Sequence, residues 1–204
     1  FNALTGSGVY AADKLFATLD TTIRPLYPDT RPKVLMSDTV GLIKKLPHDL
    51  VASFKSTLDE AAGASLLLFV VDASDPSFRS QLDVTRTVLA EVGATDIPSL
   101  VVLNKQDRLG PDELAALKAE YPDAFFLSTR SKDDLQALRE RIMRFFESDM
   151  VDEELHIPFT AQGVVAEIRA RMHILSEAYD AEGLTIRVRS TPEDLTSIKK
   201  KLAR

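Results

Sequence analysis

Short apolar segments of strand length alternate with amphipathic helical segments along most of this 204-residue chain. Residues 66–71 are wholly apolar and residues 99–103 nearly so, which is typical of strands covered on both faces. The first of these is followed by Val84, Val88 and Val92 at four-residue spacing, one face of a helix. This alternation predicts βα units and an α/β fold with a mainly parallel sheet.

Composition excludes several classes of protein. The formal net charge is −6, so broad coating of nucleic acid is not predicted. The chain has no cysteine, which rules out disulfides and thiolate metal sites and fits a cytoplasmic protein. No apolar run approaches the ~18 residues of a membrane span, so we expect no membrane partner.

A loss of helical periodicity divides the chain. Residues 148–154 are acidic and aperiodic, so we predict a first domain at 1–149 and a small C-terminal domain at 150–204. The second domain has patterns for strands at 155–159 and 184–188, a helix at 163–177, and a helix that begins at Thr191-Pro192. We therefore expect a small α+β domain of βαβα order.

The strongest motif follows the apolar segment 99–103. Asn104-Lys105-Gln106-Asp107 is an NKxD sequence, typical of GTPases, at the predicted carboxyl edge of the sheet, where open α/β sheets bind ligands. An aspartate accepts hydrogen bonds from both N1–H and the exocyclic amine of guanine, and adenine lacks that pair of donors. Ser128 and Thr129 directly follow another predicted strand, 124–127. We expect their backbone groups to complete the same guanine pocket.

A second motif follows the predicted strand that ends near Met36. Asp38-Thr39-Val40-Gly41 has the DxxG pattern, in which the carboxylate holds Mg²⁺ and the glycine N–H approaches the terminal phosphate of GTP. Thr18 is the candidate second Mg²⁺ ligand, with Thr21 and Thr22 as competitors. The alternative is that all three are ordinary loop threonines.

Longer stretches around these motifs resemble one family. Residues 9–20, 37–43 and 46–54 are similar to the switch segments of HflX-type GTPases of the Obg–HflX group. The resemblance implies a Ras-like P-loop GTPase domain that hydrolyses GTP with Mg²⁺. It also implies binding to the large ribosomal subunit and its RNA, and splitting or rescue of stalled ribosomes.

The family's phosphate-binding loop has no counterpart in the sequence and is expected just before Phe1. We therefore expect the 204 residues alone to bind GTP weakly and to be inactive, because that loop supplies most phosphate contacts. The alternative is a non-hydrolysing remnant that acts as a binding module. A receiver-like domain with Asp72 as phosphoacceptor is disfavoured by the NKxD and DxxG pair.

The sequence assigns no catalytic residue. Leu42 follows Gly41, where many GTPases have a glutamine that orients water, so we expect slow intrinsic hydrolysis and activation by a partner. His48 and Asp49 are interpreted as a helix start.

Basic residues near the C-terminus suggest a contact with ribosomal RNA. They are Lys199, Lys200 and Lys201 at the end of the last predicted helix, and Arg187 and Arg189 on the preceding strand. The alternative is that these are ordinary solubilising charges.

Overall fold

A computed structural model describes residues 1–8, 22–38 and 60–202 of the chain. The described elements divide between two compact units, of which the second contains Leu4–Gly6, Arg24–Met36 and Glu140 onward. The predicted boundary between residues 149 and 150 stays a prediction. The elements, in chain order, are α1 (Asn2–Thr5), β1 (Thr22–Pro25), β2 (Leu35–Asp38), β3 (Leu67–Asp72), α2 (Phe78–Glu91), β4 (Ser99–Asn104), α3 (Pro111–Glu120), β5 (Phe125–Phe126), α4 (Lys132–Glu147), β6 (Val151–Pro158), α5 (Gly163–Arg171), β7 (His173–Tyr179), β8 (Gly183–Ser190) and α6 (Pro192–Leu202).

A parallel sheet of order β3-β4-β5 organises the first unit. β3 and β4 are paired along their whole length, from Leu67 opposite Ser99 to Asp72 opposite Asn104. The strands predicted at 66–71, 99–103 and 124–127 therefore form, and all run in the same direction. β1 and β2 make a separate two-stranded sheet, and the predicted strand before the DxxG motif is β2.

The helix after β3 buries larger side chains more deeply than the predicted valines. Its buried side chains are Phe78, Leu82 and Leu89, while Val84 and Val88 are only half-buried. Phe78 joins Leu103 of β4 in one apolar cluster. The predicted valine stripe is confirmed in part, since Val88 and Val92 pack against a second cluster around Leu89 and Ala94. The fully buried positions are taken by larger side chains, which remove more apolar area from water.

The C-terminal part of the second unit is an antiparallel sheet of order β6-β8-β7 covered on one face by two helices. The predicted helix at 163–177 is wrong in its second half, because α5 ends at Arg171 and His173 begins strand β7. The order is therefore βαββα, with one strand more than predicted. The core joins side chains from both helices to the inward face of the sheet; it comprises Leu155, Ile157, Ile168, Met172, Leu184, Ile186, Val188, Leu195 and Ile198.

None of the helices among the described residues has the length and apolar character needed to cross a bilayer.

Candidate nucleotide-binding site

The carboxyl ends of β3, β4 and β5 bring polar residues to one edge of the parallel sheet. Asp72 ends β3 and Asn104 ends β4, directly opposite it in register. Ser128 follows β5 after one further residue, Leu127, whose N–H donates to the Leu103 carbonyl at 3.0 Å. The NKxD motif and the Ser128–Thr129 pair therefore lie at adjacent strand ends, as predicted from the sequence.

Asn104 joins the loops at this edge. Its side-chain oxygen accepts hydrogen bonds from the N–H of Lys105 at 2.8 Å and of Thr129 at 3.1 Å. Its backbone carbonyl accepts the N–H of Ala73, after β3, at 2.9 Å. A single asparagine thus connects the segments that follow three strands, and a residue with an apolar side chain would leave two of these N–H donors unpaired.

Lys105 has the backbone conformation that turns the chain at this edge. Its φ of 66° is left-handed, the one positive value at a non-glycine residue of the described ranges. Such a conformation costs on the order of 1 kcal/mol or more and is often found at functional sites. It leads into a single 3₁₀ turn, Gln106–Arg108, which contains Asp107.

The Lys105 ammonium group donates to the Asp72 carboxylate at 2.6 Å. Burial alone would raise the pKa of Asp72, but hydrogen bonds from Lys105 and from the hydroxyl and N–H of Ser74 outweigh it and lower that pKa. The carboxylate is therefore ionised at neutral pH, and the ion pair holds the lysine side chain along the sheet edge.

Asp107 is the acceptor expected to read the base. A hydrogen bond from Ser128 lowers its pKa, with a smaller contribution from the charge of Arg130, 3.9 Å away. Its side chain is 36% exposed. An exposed carboxylate that stays ionised at neutral pH can only accept hydrogen bonds, which matches the donor pair of guanine.

Sequence reasoning missed the role of Asp134. Ser131 and Asp134 suggest a capping box, and half of it forms, since the Asp134 N–H donates to the Ser131 hydroxyl at 3.2 Å. The reciprocal half does not form, because the Ser131 N–H donates to the Ser128 carbonyl at 2.9 Å. The Asp134 carboxylate instead accepts from the Ser128 N–H at 2.6 Å and the Gln106 side-chain amide at 2.8 Å.

The predicted phosphate and metal residues are only partly placed. Thr18 and Gly41 lie outside the described residues, whereas Asp38 is the last residue of β2 and is half-buried. Its carboxylate is a hard oxygen donor at a strand end, which suits the chemistry of Mg²⁺. Within the described ranges, no group of three or more acidic or histidine side chains could hold a metal ion.

The predicted basic surface is divided between two sides of the C-terminal sheet. Val188 of β8 faces the helices, so Arg187 and Arg189, its neighbours in the strand, face the other side. Arg189 donates to Asp152 at 2.6 Å. On the helical side, Lys199 is paired with Glu153, and Lys201 with Glu167 at 2.5 Å. One continuous patch is therefore not formed.

Comparison with known families agrees with the motifs at the sheet edge. Residues 1–105 match the model of a family described as 50S ribosome-binding GTPase, which is just over half of the chain. The chain belongs to this family. The match assigns no role to single residues, so Asn104, Lys105, Asp107, Ser128 and Thr129 all stay predictions as guanine-binding residues.

Curated relatives extend the similarity over nearly the whole sequence. The chain is 56% identical to GTPase HflX of Gluconacetobacter diazotrophicus over 98% of its own length and 45% of that protein. It is 37% identical to GTPase HflX of Caldanaerobacter subterraneus, over 94% of this chain and 44% of the relative. The resemblance to HflX-type GTPases is thus confirmed, and the chain spans less than half the length of these relatives.

A solved structure supports the fold. The chain is similar to an Aquifex aeolicus Era variant crystallised with GDP·AlF₄⁻, with a TM-score of 0.51 and 18% identity over 71% of this chain and 50% of that one. At this identity the likeness concerns the fold alone. The predicted fold class, an α/β GTPase domain with a parallel sheet, is confirmed.

Proposed function

We propose that the full-length protein to which this chain belongs binds and hydrolyses GTP, and that the edge formed by β4 and β5 recognises the guanine base. The observation that carries this proposal is the double hydrogen bond of Asn104, which ties Lys105 to Thr129. It keeps the loop of Asp107 beside Ser128, whose hydrogen bond helps to keep the carboxylate ionised. Asp107 then accepts from guanine N1–H and the exocyclic amine, while adenine would leave the carboxylate poorly matched.

The phosphate side of the site is proposed to use Thr18, Asp38 and Gly41. Thr18 and Asp38 would hold Mg²⁺, which neutralises charge on the phosphates, and the Gly41 N–H would contact the terminal phosphate. Leu42 cannot orient an attacking water by a hydrogen bond, so intrinsic hydrolysis is slow. A bound partner then supplies the acceleration.

That partner is proposed to be the large ribosomal subunit with its RNA, in the splitting or rescue of stalled ribosomes in the cytoplasm. Support comes from the family description, which names the 50S ribosome, and from the similarity to HflX proteins. Ion pairs at Arg189, Lys199 and Lys201 offset much of the basic charge in the C-terminal unit. We therefore expect the GTPase domain or other parts of the full-length protein to supply most of the contacts with RNA.

Calorimetric titration of the full-length protein with GDP and with ADP tests base recognition. We expect ADP to bind at least about 100-fold more weakly, because a site built to hydrogen-bond the donors of guanine rejects a base that lacks them. GTP turnover with and without large subunits then tests activation. Equal affinity for the two nucleotides would refute guanine recognition, and guanine-specific binding without turnover in either condition would favour the non-hydrolysing binding module.

A further inference from the structure

The Asp134 carboxylate holds the two base-recognition loops at a fixed spacing. One oxygen of this side chain, Oδ2, accepts both the Ser128 N–H at 2.6 Å and the Gln106 side-chain amide at 2.8 Å. Gln106 is the variable position of the NKxD motif and directly precedes Asp107. Ser128 begins the second loop, in which the Arg130 guanidinium lies 3.9 Å from the Asp107 carboxylate. The residue before Asp107 and the first residue of the second loop are therefore both hydrogen-bonded to the same oxygen atom.

This bridge depends on how α4 begins. The Ser131 N–H, the usual partner of a capping carboxylate, is already donated to the Ser128 carbonyl. The Asp134 carboxylate therefore does not cap its own helix and instead accepts hydrogen bonds from the two preceding loops. The Ser128 residue is only 6% exposed, so without Asp134 its N–H would lose its partner where little water can replace it.

Resting on the guanine recognition proposed above, we propose that Asp134 is a positioning residue for the base: it sets where Asp107 stands relative to the Ser128–Thr129 loop. Asp107 must meet two donors of guanine at once, so a small displacement costs one of the two hydrogen bonds. Loss of Asp134 should therefore reduce discrimination among bases, in addition to weakening nucleotide binding. A residue that only stabilised the fold would not change this discrimination.

The test compares GDP with inosine 5′-diphosphate, whose base lacks the exocyclic amine. Dissociation constants for both nucleotides are measured on the full-length protein and on Asp134→Ala and Asp134→Asn variants. Asp133→Ala is the matched control, since Asp133 is an exposed acidic neighbour in the same helical turn. Asp134→Asn keeps the side-chain shape and covers the case in which the alanine variant does not fold, as judged by circular dichroism.

We expect Asp134→Ala to weaken GDP about tenfold and inosine diphosphate less, so that their affinity ratio falls toward one. Asp134→Asn should change the ratio in the same direction by a smaller factor, and Asp133→Ala should leave it unchanged. An unchanged ratio in both Asp134 variants, with or without weaker binding, overturns the positioning role alone. If the unmodified protein itself fails to prefer GDP over ADP, the proposed function fails and this inference fails with it.

Discussion

Replacing Asn104 by alanine should release two specific backbone amides and leave a third unchanged. The side-chain oxygen accepts the N–H of Lys105 at 2.8 Å and of Thr129 at 3.1 Å, and both bonds disappear in the variant. The Ala73 N–H is bonded to the backbone carbonyl of Asn104, which the substitution keeps. Each lost bond is worth about 1 kcal/mol, or roughly a fivefold change in local opening.

Amide hydrogen exchange followed by NMR measures this directly. We expect the Lys105 and Thr129 amides to exchange about fivefold faster in Asn104→Ala, with the Ala73 amide within about twofold of its original rate. Asn104→Asp is the control, since its carboxylate keeps an acceptor oxygen and should preserve both protections. Equal acceleration at all three amides would indicate general loosening and would refute the specific role of the Asn104 side chain, as would unchanged rates at Lys105 and Thr129.

Two further predictions concern the sheets. Because the folded-state pKa of Asp72 is lowered below 3.8, its ionised form stabilises the fold at neutral pH, and this contribution is lost as the pH falls from that value downward. Asp72→Asn should therefore reduce unfolding free energy by about 0.5 kcal/mol at pH 7 and by less near pH 3, in denaturant titrations; a pH-independent difference would contradict this. Gly183→Ala places a Cβ 2.3 Å from the Ile157 carbonyl oxygen and should destabilise the C-terminal sheet by about 1–3 kcal/mol. Gly163→Ala, whose Cβ would meet no atom within 4 Å apart from its chain neighbours and its own helix backbone, should be neutral or slightly stabilising. Thermal unfolding of both variants measures the difference, and equal effects of the two glycine substitutions would refute the steric argument.

The sequence predicts the parallel sheet and its polar edge well, for a local reason. Residues 66–71 are apolar throughout and residues 99–103 nearly so, and Asp72 and Asn104 follow them immediately, so each strand and the polar residue at its end are visible in one short window. Parallel pairing of the two strands then places Asp72 and Asn104 at the same edge of the sheet, so this part of the site can be predicted from local sequence alone.

Features that depend on distant residues were not predictable in this way. The segment after α5 continues an apolar spacing that suits a helix, yet β7 forms there because it pairs with β8. The role of Asp134 depends on a hydrogen bond between Ser131 and Ser128, which sequence spacing does not reveal. The separation of Arg187 from Lys199 depends on which face of the sheet the helices cover.

A change of base preference at Asp107 tests whether this carboxylate recognises guanine. In an Asp107→Asn variant of the full-length protein, the amide donates to the C2 carbonyl of xanthine, where the carboxylate would be repelled, and it no longer accepts from the exocyclic amine of guanine. Affinities for GDP and xanthosine 5′-diphosphate are measured by calorimetry, with Asp112→Asn, at an exposed acidic residue nearby, as the control. We expect Asp107→Asn to bind GDP at least about tenfold more weakly and to prefer the xanthine nucleotide, while the control behaves like the unmodified protein. Unchanged GDP affinity in Asp107→Asn would contradict guanine recognition by this carboxylate and would remove Asp107 from the site.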